Sequence, residues 1–333
     1  HNHFVLDRGG KVFKQTAPVI KLPAGTSDAE HLSLLGLLNS SVACFWLKQV
    51  CAAKHIGDPA FQRFEYDGTK LSQFPLVKEQ PLVLAQTLDR LAQELAATSP
   101  SALVHRALPL RATLDGARAA TESLRQQMIA TQEELDWRCY QLYGLTQTEL
   151  THPQPPEIAL GERAFEIVLA RSIAAGQAGT TWFARHGSTP ITELPAHWPA
   201  DYRRVVEARI ALIESDKFIG LIERPEYKRR WASSAWAEQE QTALSGWLLD
   251  RLESSLKAAA ADTPSLTSTN KLADRLRSDT DFMQVAELYA GRSDFDVALL
   301  VANLVAGEAV PVLPVLRYSE AGLRKRAEWE RTW

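Results

Sequence analysis

One seam of side chains constrains this chain more than any other feature. Leu110, Leu114, Ala117, Thr121, Leu124, Met128, Thr131, Leu135, Arg138 and Leu142 follow one another in alternating steps of four and three, the period of a helix that buries one narrow stripe. Pro109 suits the first turn, where a missing N–H costs little, and Gly144 suits the position just past the end, where a left-handed backbone is favoured. A helix from Pro109 to Tyr143 would run for roughly 50 Å at 1.5 Å per residue. That is the length of a spacer, not of a core helix in a small domain. Trp137, Tyr140 and Tyr143 read as packing residues that anchor its end.

The flanking sequence divides at two places. Before the spacer, Phe4-Val5-Leu6, Gly9-Gly10 and Lys11-Val12-Phe13-Lys14 alternate with period two around a turn, and Ala17 to Leu22 offers a further strand. A small antiparallel sheet is expected there. Thr26, Ser27 and Asp28 offer caps for a helix from about Glu30 to Ala53, and Lys54 to Leu71 reads as a polar, aromatic, irregular loop. Leu84, Leu88, Leu91 and Leu95 mark a helix over 82–97 that could pair with the spacer. After the stiff linker Thr151-His152-Pro153-Gln154-Pro155-Pro156, helices are expected near 161–175, 199–223, 235–261, 270–290, 294–306 and 319–333. The expected fold is α+β and predominantly helical: a β-containing recognition domain over 1–80, a helical spacer over 81–150 and a helical accessory domain over 157–333. The first residues enter directly into a strand pattern and the last helix stops without a cap, so a fragment of a longer protein is expected.

Charge narrows the function. The 333 residues are 45% apolar and carry a net charge of −3, without the overall basic footprint of a simple nucleic-acid binder. Residues 1–80 hold nine Lys/Arg against seven Asp/Glu, leaving 28 against 33 for the rest. A polyanion would therefore be met near the N-terminus. Cys44, Cys51 and Cys139 sit in apolar helical patterns without ligand spacing, which points to a reduced cytoplasmic protein without a structural metal. No run of about 20 apolar residues offers a membrane span.

The stretch from Phe4 to Phe13, the helix Leu34-Leu35-Gly36-Leu37-Leu38-Asn39-Ser40-Ser41 with Phe45-Trp46, and Gly68-Thr69-Lys70-Leu71 before Phe74-Pro75 are distinctive in their order. So are Gln132-Glu133-Glu134-Leu135-Asp136-Trp137, Glu223 to Trp231, and Gly322 to Trp333. In that order they resemble the C-terminal target-recognition and accessory portion of BREX-type (PglX-like) adenine-specific DNA methyltransferases, related to type II restriction-modification enzymes with fused specificity domains. The resemblance implies a parent protein that methylates adenine with S-adenosylmethionine in phage defence. The partners it implies are double-stranded DNA, an N-terminal methyltransferase domain and other phage-defence proteins.

The chain itself lacks the motifs for that chemistry. Methylation of a flipped adenine uses an Asn/Asp-Pro-Pro-aromatic motif, whereas the Pro155-Pro156 pair stands between Gln154 and Glu157. No catalytic residue, cofactor site or metal site is expected here. DNA reading remains, and the candidates are Arg8, Lys11, Lys14, Lys21, Lys48, Lys54, His55, Gln62, Arg63, Tyr66 and Lys70, on the hairpin and around the polar loop. Arg and Lys neutralise phosphates or read guanine, Gln reads adenine, and aromatic rings stack. Asn39 and Ser40 read as a helix kink or as partners for a buried backbone group. Arg224, Lys228, Arg229 and Arg230, with Trp231, offer a second basic-aromatic patch, although a solvated face or a docking surface for the methyltransferase domain is the preferred reading, and Asp216 with Glu226-x-Lys228 reads as surface ion pairs, not a nuclease centre. A rival reading makes the chain a protein-assembly module of a defence complex without direct DNA contact.

Overall fold

The computed structural model describes residues 2–9, 19–54, 64–231, 233–259, 267–306 and 320–332. Among these residues the fold is all-helical, which corrects the α+β expectation; pairing between extended segments is confined to an isolated bridge joining Ala53 and Phe64. Residues 10–18, the second half of the expected hairpin, lie outside the described residues. Residues 2–8 are irregular, and there is a local reason. The carboxamide of Asn39 accepts from the Phe4 N–H at 3.0 Å and donates to the Phe4 carbonyl at 3.0 Å, so one side chain supplies both bonds that a neighbouring strand would have supplied. Val19 and Ile20 are exposed, leaving 19–22 without the buried face that fixes a strand.

Fifteen helices carry the described chain. They are α1 (Asp28–Leu38), α2 (Ser41–Val50), α3 (Gly68–Leu71), α4 (Leu82–Ala97), α5 (Pro100–Arg106), α6 (Arg111–Leu142), α7 (Ala164–Ala174), α8 (Trp182–His186), α9 (Ala200–Ser215), α10 (Lys217–Ile222), α11 (Trp236–Ala259), α12 (Thr269–Leu276), α13 (Thr280–Ala290), α14 (Val297–Ala306) and α15 (Glu320–Thr332). The long helices expected over 30–53, 199–223 and 270–290 are each two. In each case a capping side chain restarts the helix: Ser40 accepts from Ala43 N–H, Asp216 from Phe218 and Ile219, and Asp279 from Phe282. The spacer α6 ends as its sequence requires. Gly144 has φ +70°, its N–H donates to Gln141, and Leu145 N–H reaches back to Tyr140, the paired bonds of a Schellman stop.

The chain forms two compact units that interleave along the sequence. One comprises residues 1–95 and 122–233, the other 96–121 and 234–333. In the first, the core gathers Leu37, Leu38, Val42 and Ala43 with Ile129, Leu135, Trp137 and Tyr140 of α6 and with Phe165, Ile167, Tyr202 and Ile210. In the second, Val104 and Leu114 pack with Leu244, Leu248, Leu252, Leu272, Phe282, Val285 and Val301. The heptad seam is thus divided. Leu114 belongs to the second core and Leu135 to the first, so a single uninterrupted stripe on the 82–97 helix does not describe its packing.

Candidate nucleic-acid interface

The candidate face is built around α2 of the first unit. Ser40 caps this helix, and Ser41 in its first turn is anchored on α6: Ser41 N–H donates to Asp136 Oδ1 at 2.8 Å and its hydroxyl to Asp136 Oδ2 at 2.7 Å. With that end fixed, Lys48 emerges two turns later, half-buried. Its ammonium donates to the Glu226 carbonyl at 2.6 Å and lies 5.3 Å from the Phe64 ring and 5.6 Å from the Tyr227 ring. Desolvation lowers its pKa, and Arg230 adds to the lowering. The polar loop is pinned at its base by the Ala53–Phe64 bridge, by Glu65 N–H to Ala52 carbonyl at 3.0 Å and by Lys54–Glu65 at 3.1 Å.

The structure distributes the sequence candidates unevenly. Arg8 pairs with Asp89 of α4 at 2.7 Å, Lys54 with Glu65, and both basic side chains stay about half exposed. Lys21 is exposed, and Lys70 is half-buried in α3, its backbone N–H capped by Asp67 at 2.7 Å. Tyr66 stacks on Phe64 with centroids 6.5 Å apart and turns its hydroxyl inward, where burial raises its pKa. Lys11, Lys14, His55, Gln62 and Arg63 lie outside the described residues. The cysteines are all free and buried, and burial raises the pKa of each thiol.

Beneath this face lies a charge network that the heptad reading places in solvent. From Met128 to Trp137 α6 is buried on every face. Lys228, wholly buried, holds Glu133 at 3.2 Å, Asp136 at 2.9 Å and Glu223 at 2.9 Å, so the expected surface ion pair is an interior one. Arg209 donates to Glu134 at 2.6 Å and to the Leu150 carbonyl at 2.7 Å, while His152 N–H donates to the same Glu134 oxygen at 2.7 Å. Arg163 grips Glu166 in a bidentate pair at 2.8 and 2.9 Å, completed by Trp182 Nε1 and Gly161 N–H. Asp216, the other residue of the nuclease-like echo, is spent on capping α10.

One ammonium facing three carboxylates leaves a charge imbalance, and the hydrogen bonds decide where a proton resides. Asp136 also accepts from Ser41 twice and from Gln132, and Glu223 accepts from the Tyr140 hydroxyl. Glu133 has Lys228 as its ion-pair partner and keeps its Oε2 unpartnered. Desolvation, opposed by Lys228 and reinforced by Glu223, pushes its pKa up to about 7.

The same chain segment that delivers Lys228 inward presents Arg229 and Arg230 toward the candidate face. Arg229 contacts Asn39 Oδ1 at 3.4 Å and stacks 5.0 Å from the Trp231 ring, with its Nε unpartnered. Desolvation lowers its pKa, and the nearest opposing influence is buried Asp136. His3 is exposed, so desolvation, the first cause of its lowered pKa, is partial. The charges of Arg229 and Arg230 help bring that value to about 4. In the sequence Arg229 and Arg230 stand in a second basic-aromatic patch for which a solvated or docking face is the preferred reading, not DNA contact. The available signal was their place in the Glu223 to Trp231 stretch, which lies next in space to α2 although some 180 residues away in sequence.

The half-buried cations Lys48 and Arg229 thus stand on a helical unit whose interior is crossed by buried ion pairs. Residues 128–333 match a family described as a domain of unknown function (DUF7008), and the chain belongs to that family. Over 351 aligned positions covering the whole of this chain, it is 50% identical to the adenine-specific methyltransferase PglX of Streptomyces coelicolor. It spans 29% of that protein's length, and so corresponds to a part of a PglX-like protein. No solved structure matches it. Among the described residues no helix is long and apolar enough to cross a membrane, and no group of three or more His, Cys, Asp or Glu is placed to hold a metal.

Proposed function

We propose that this chain is the DNA sequence-recognition portion of an adenine-specific methyltransferase of phage defence, acting beside an N-terminal domain that carries S-adenosylmethionine and the methyl-transfer chemistry. The observation that carries the reading is the 50% identity to the PglX methyltransferase along the entire chain. The basic side chains of the first unit are compatible with it. Arg8 and Lys54 are held by exposed ion pairs, which contribute roughly 0–1 kcal/mol and exchange readily for phosphate contacts. In this reading Lys21, Lys54 and Lys70 position the duplex, and base reading falls to the loop that the Ala53–Phe64 bridge closes.

The test is binding of a fluorescent duplex by the full 333-residue chain across a salt series. Each phosphate neutralised contributes about −0.9 to the slope of log K against log salt, so a steep slope is expected. A chain that ignores duplex DNA at low salt and instead associates with the methyltransferase domain would favour the protein-assembly reading. S-adenosylmethionine should give no heat with this chain in calorimetry; a specific micromolar site would overturn that part of the proposal.

A further inference from the structure

Two cations in the first unit are short of counter-charge in a way that the other interior ions are not. Arg163, Arg209 and Lys228 each face a carboxylate at 3.2 Å or less. Arg229 does not. Its partners are a neutral amide oxygen at 3.4 Å and the face of Trp231. The one carboxylate that acts on it, Asp136, already accepts from Ser41 N–H, Ser41 Oγ, Gln132 and Lys228, and has no acceptor direction left. Lys48 is alike: a backbone carbonyl and two aromatic rings meet its ammonium, and Glu226 acts on it only through its charge.

These groups share one locality. Arg230 acts through its charge on both Lys48 and His3, and Arg229 acts on His3. Asn39 binds the backbone of Phe4, next to His3, and touches Arg229. Lys48 is tied to Glu226, three residues before Arg229. His3 is exposed, and Lys48, Arg229 and Arg230 are each partly exposed as residues, with the Nε atoms of both arginines turned inward. A guanidinium stripped of part of its water and given no carboxylate gains most from an incoming anion, and a planar fork beside an ammonium suits the oxygens of a phosphate.

We propose that Lys48, Arg229 and Arg230, with His3 at their edge, form an oxyanion site that takes a phosphate group, and that in the working protein the phosphate belongs to the DNA backbone. The second half rests on the function proposed above; the first does not. His3 supplies the readout. Its neutral imidazole should take up a proton when a phosphate offsets the neighbouring arginines, so its NMR titration should move to higher pH when inorganic phosphate is added.

The experiment uses the full chain, its Arg230→Gln and Lys48→Gln variants, and Arg230→Lys as the conservative control, each first matched to the parent by circular dichroism. Inorganic phosphate should raise the His3 titration in the parent and in Arg230→Lys, and less or not at all in the two Gln variants. With duplex DNA, each Gln variant should lose about one unit of salt slope. A phosphate response without any duplex binding would keep the site, reassign its ligand to a free phosphate or nucleotide, and count against the DNA reading. Duplex binding with an unchanged slope in both variants and no phosphate effect on His3 would overturn the site and leave the DNA reading standing. If the Gln variants fail to fold, the phosphate response of His3 in the parent decides, since an unmoved titration there removes the site.

Discussion

Lys228 shows how much a single residue can settle. Its ammonium is the common partner of Glu133, Asp136 and Glu223, and removing one member of a buried ionic group leaves the others charged and unsolvated. Lys228→Met should therefore cost about 3–5 kcal/mol, measured by urea unfolding; a loss below about 1 kcal/mol would mean that water reaches the three carboxylates. Glu133 gives the pH dependence. Its pKa rises from an ordinary 4.5 to about 7 in the fold, so across that window the folded chain binds more protons than the unfolded one. The contribution is present below the ordinary value and is lost as pH rises through the folded value. Glu133→Gln should flatten the fall in Tm between pH 5 and pH 8, and a variant whose Tm falls as steeply as the parent's would contradict the assignment of the proton.

At the scale of elements, caps and close approaches determine where helices break and how near they pack. Asn39 and Ser40 interrupt the apolar pattern, and the break is complete: the Ser40 hydroxyl accepts from Ala43 N–H at 3.2 Å and α2 begins there. Ser40→Ala should cost about 0.5–2 kcal/mol, visible as a lower Tm. Gly36 of α1 faces α4, and a Cβ built on it would stand 2.9 Å from the Ala85 Cβ and 3.4 Å from Leu135 Cδ1. Alanine gains about 1 kcal/mol in helix propensity over glycine, but the overlap is with a methyl fixed to the α4 backbone and costs about 1–3 kcal/mol. Gly36→Ala should lower Tm on balance, and adding Ala85→Gly should recover part of the loss. A Tm raised by Gly36→Ala alone would show that α1 and α4 yield easily.

At the scale of the whole molecule, neither unit is a continuous stretch of chain. The first takes residues 1–95 and then 122–233, and α6 contributes its first turns to the second unit and the rest to the first. A fragment ending at residue 150, although it would keep the expected recognition loop, loses Lys228 from Glu133 and Asp136 and Arg209 from Glu134. Such a fragment should lack a cooperative thermal transition by circular dichroism, and a sharp transition at the parent's Tm would refute the interleaved arrangement. The family match, which begins at Met128, likewise starts inside α6 and not at a linker.

The sequence by itself determined where most of the longer helices run and how the spacer stops. The bounds of α4 and the glycine that ends α6 follow from local side-chain preferences and backbone sterics, which act within a few residues. Order among short motifs also carried the likeness to methyltransferases that the 50% identity bears out. Tertiary structure alone decided the rest. A heptad pattern counts the stripe that one helix offers to one neighbour, so it assigns Glu133, Glu134 and Asp136 to solvent. The structure covers those faces with Ser41, His152, Arg209 and Lys228, residues some 18 to 95 positions away. Alternation in residues 4–8 likewise promises a strand, because no local pattern reveals that the carboxamide of Asn39 will take both backbone bonds of Phe4. The candidate anion site was hidden for the same reason: the charge of Arg229 matters only because distant neighbours strip its water and leave no carboxylate free to answer it.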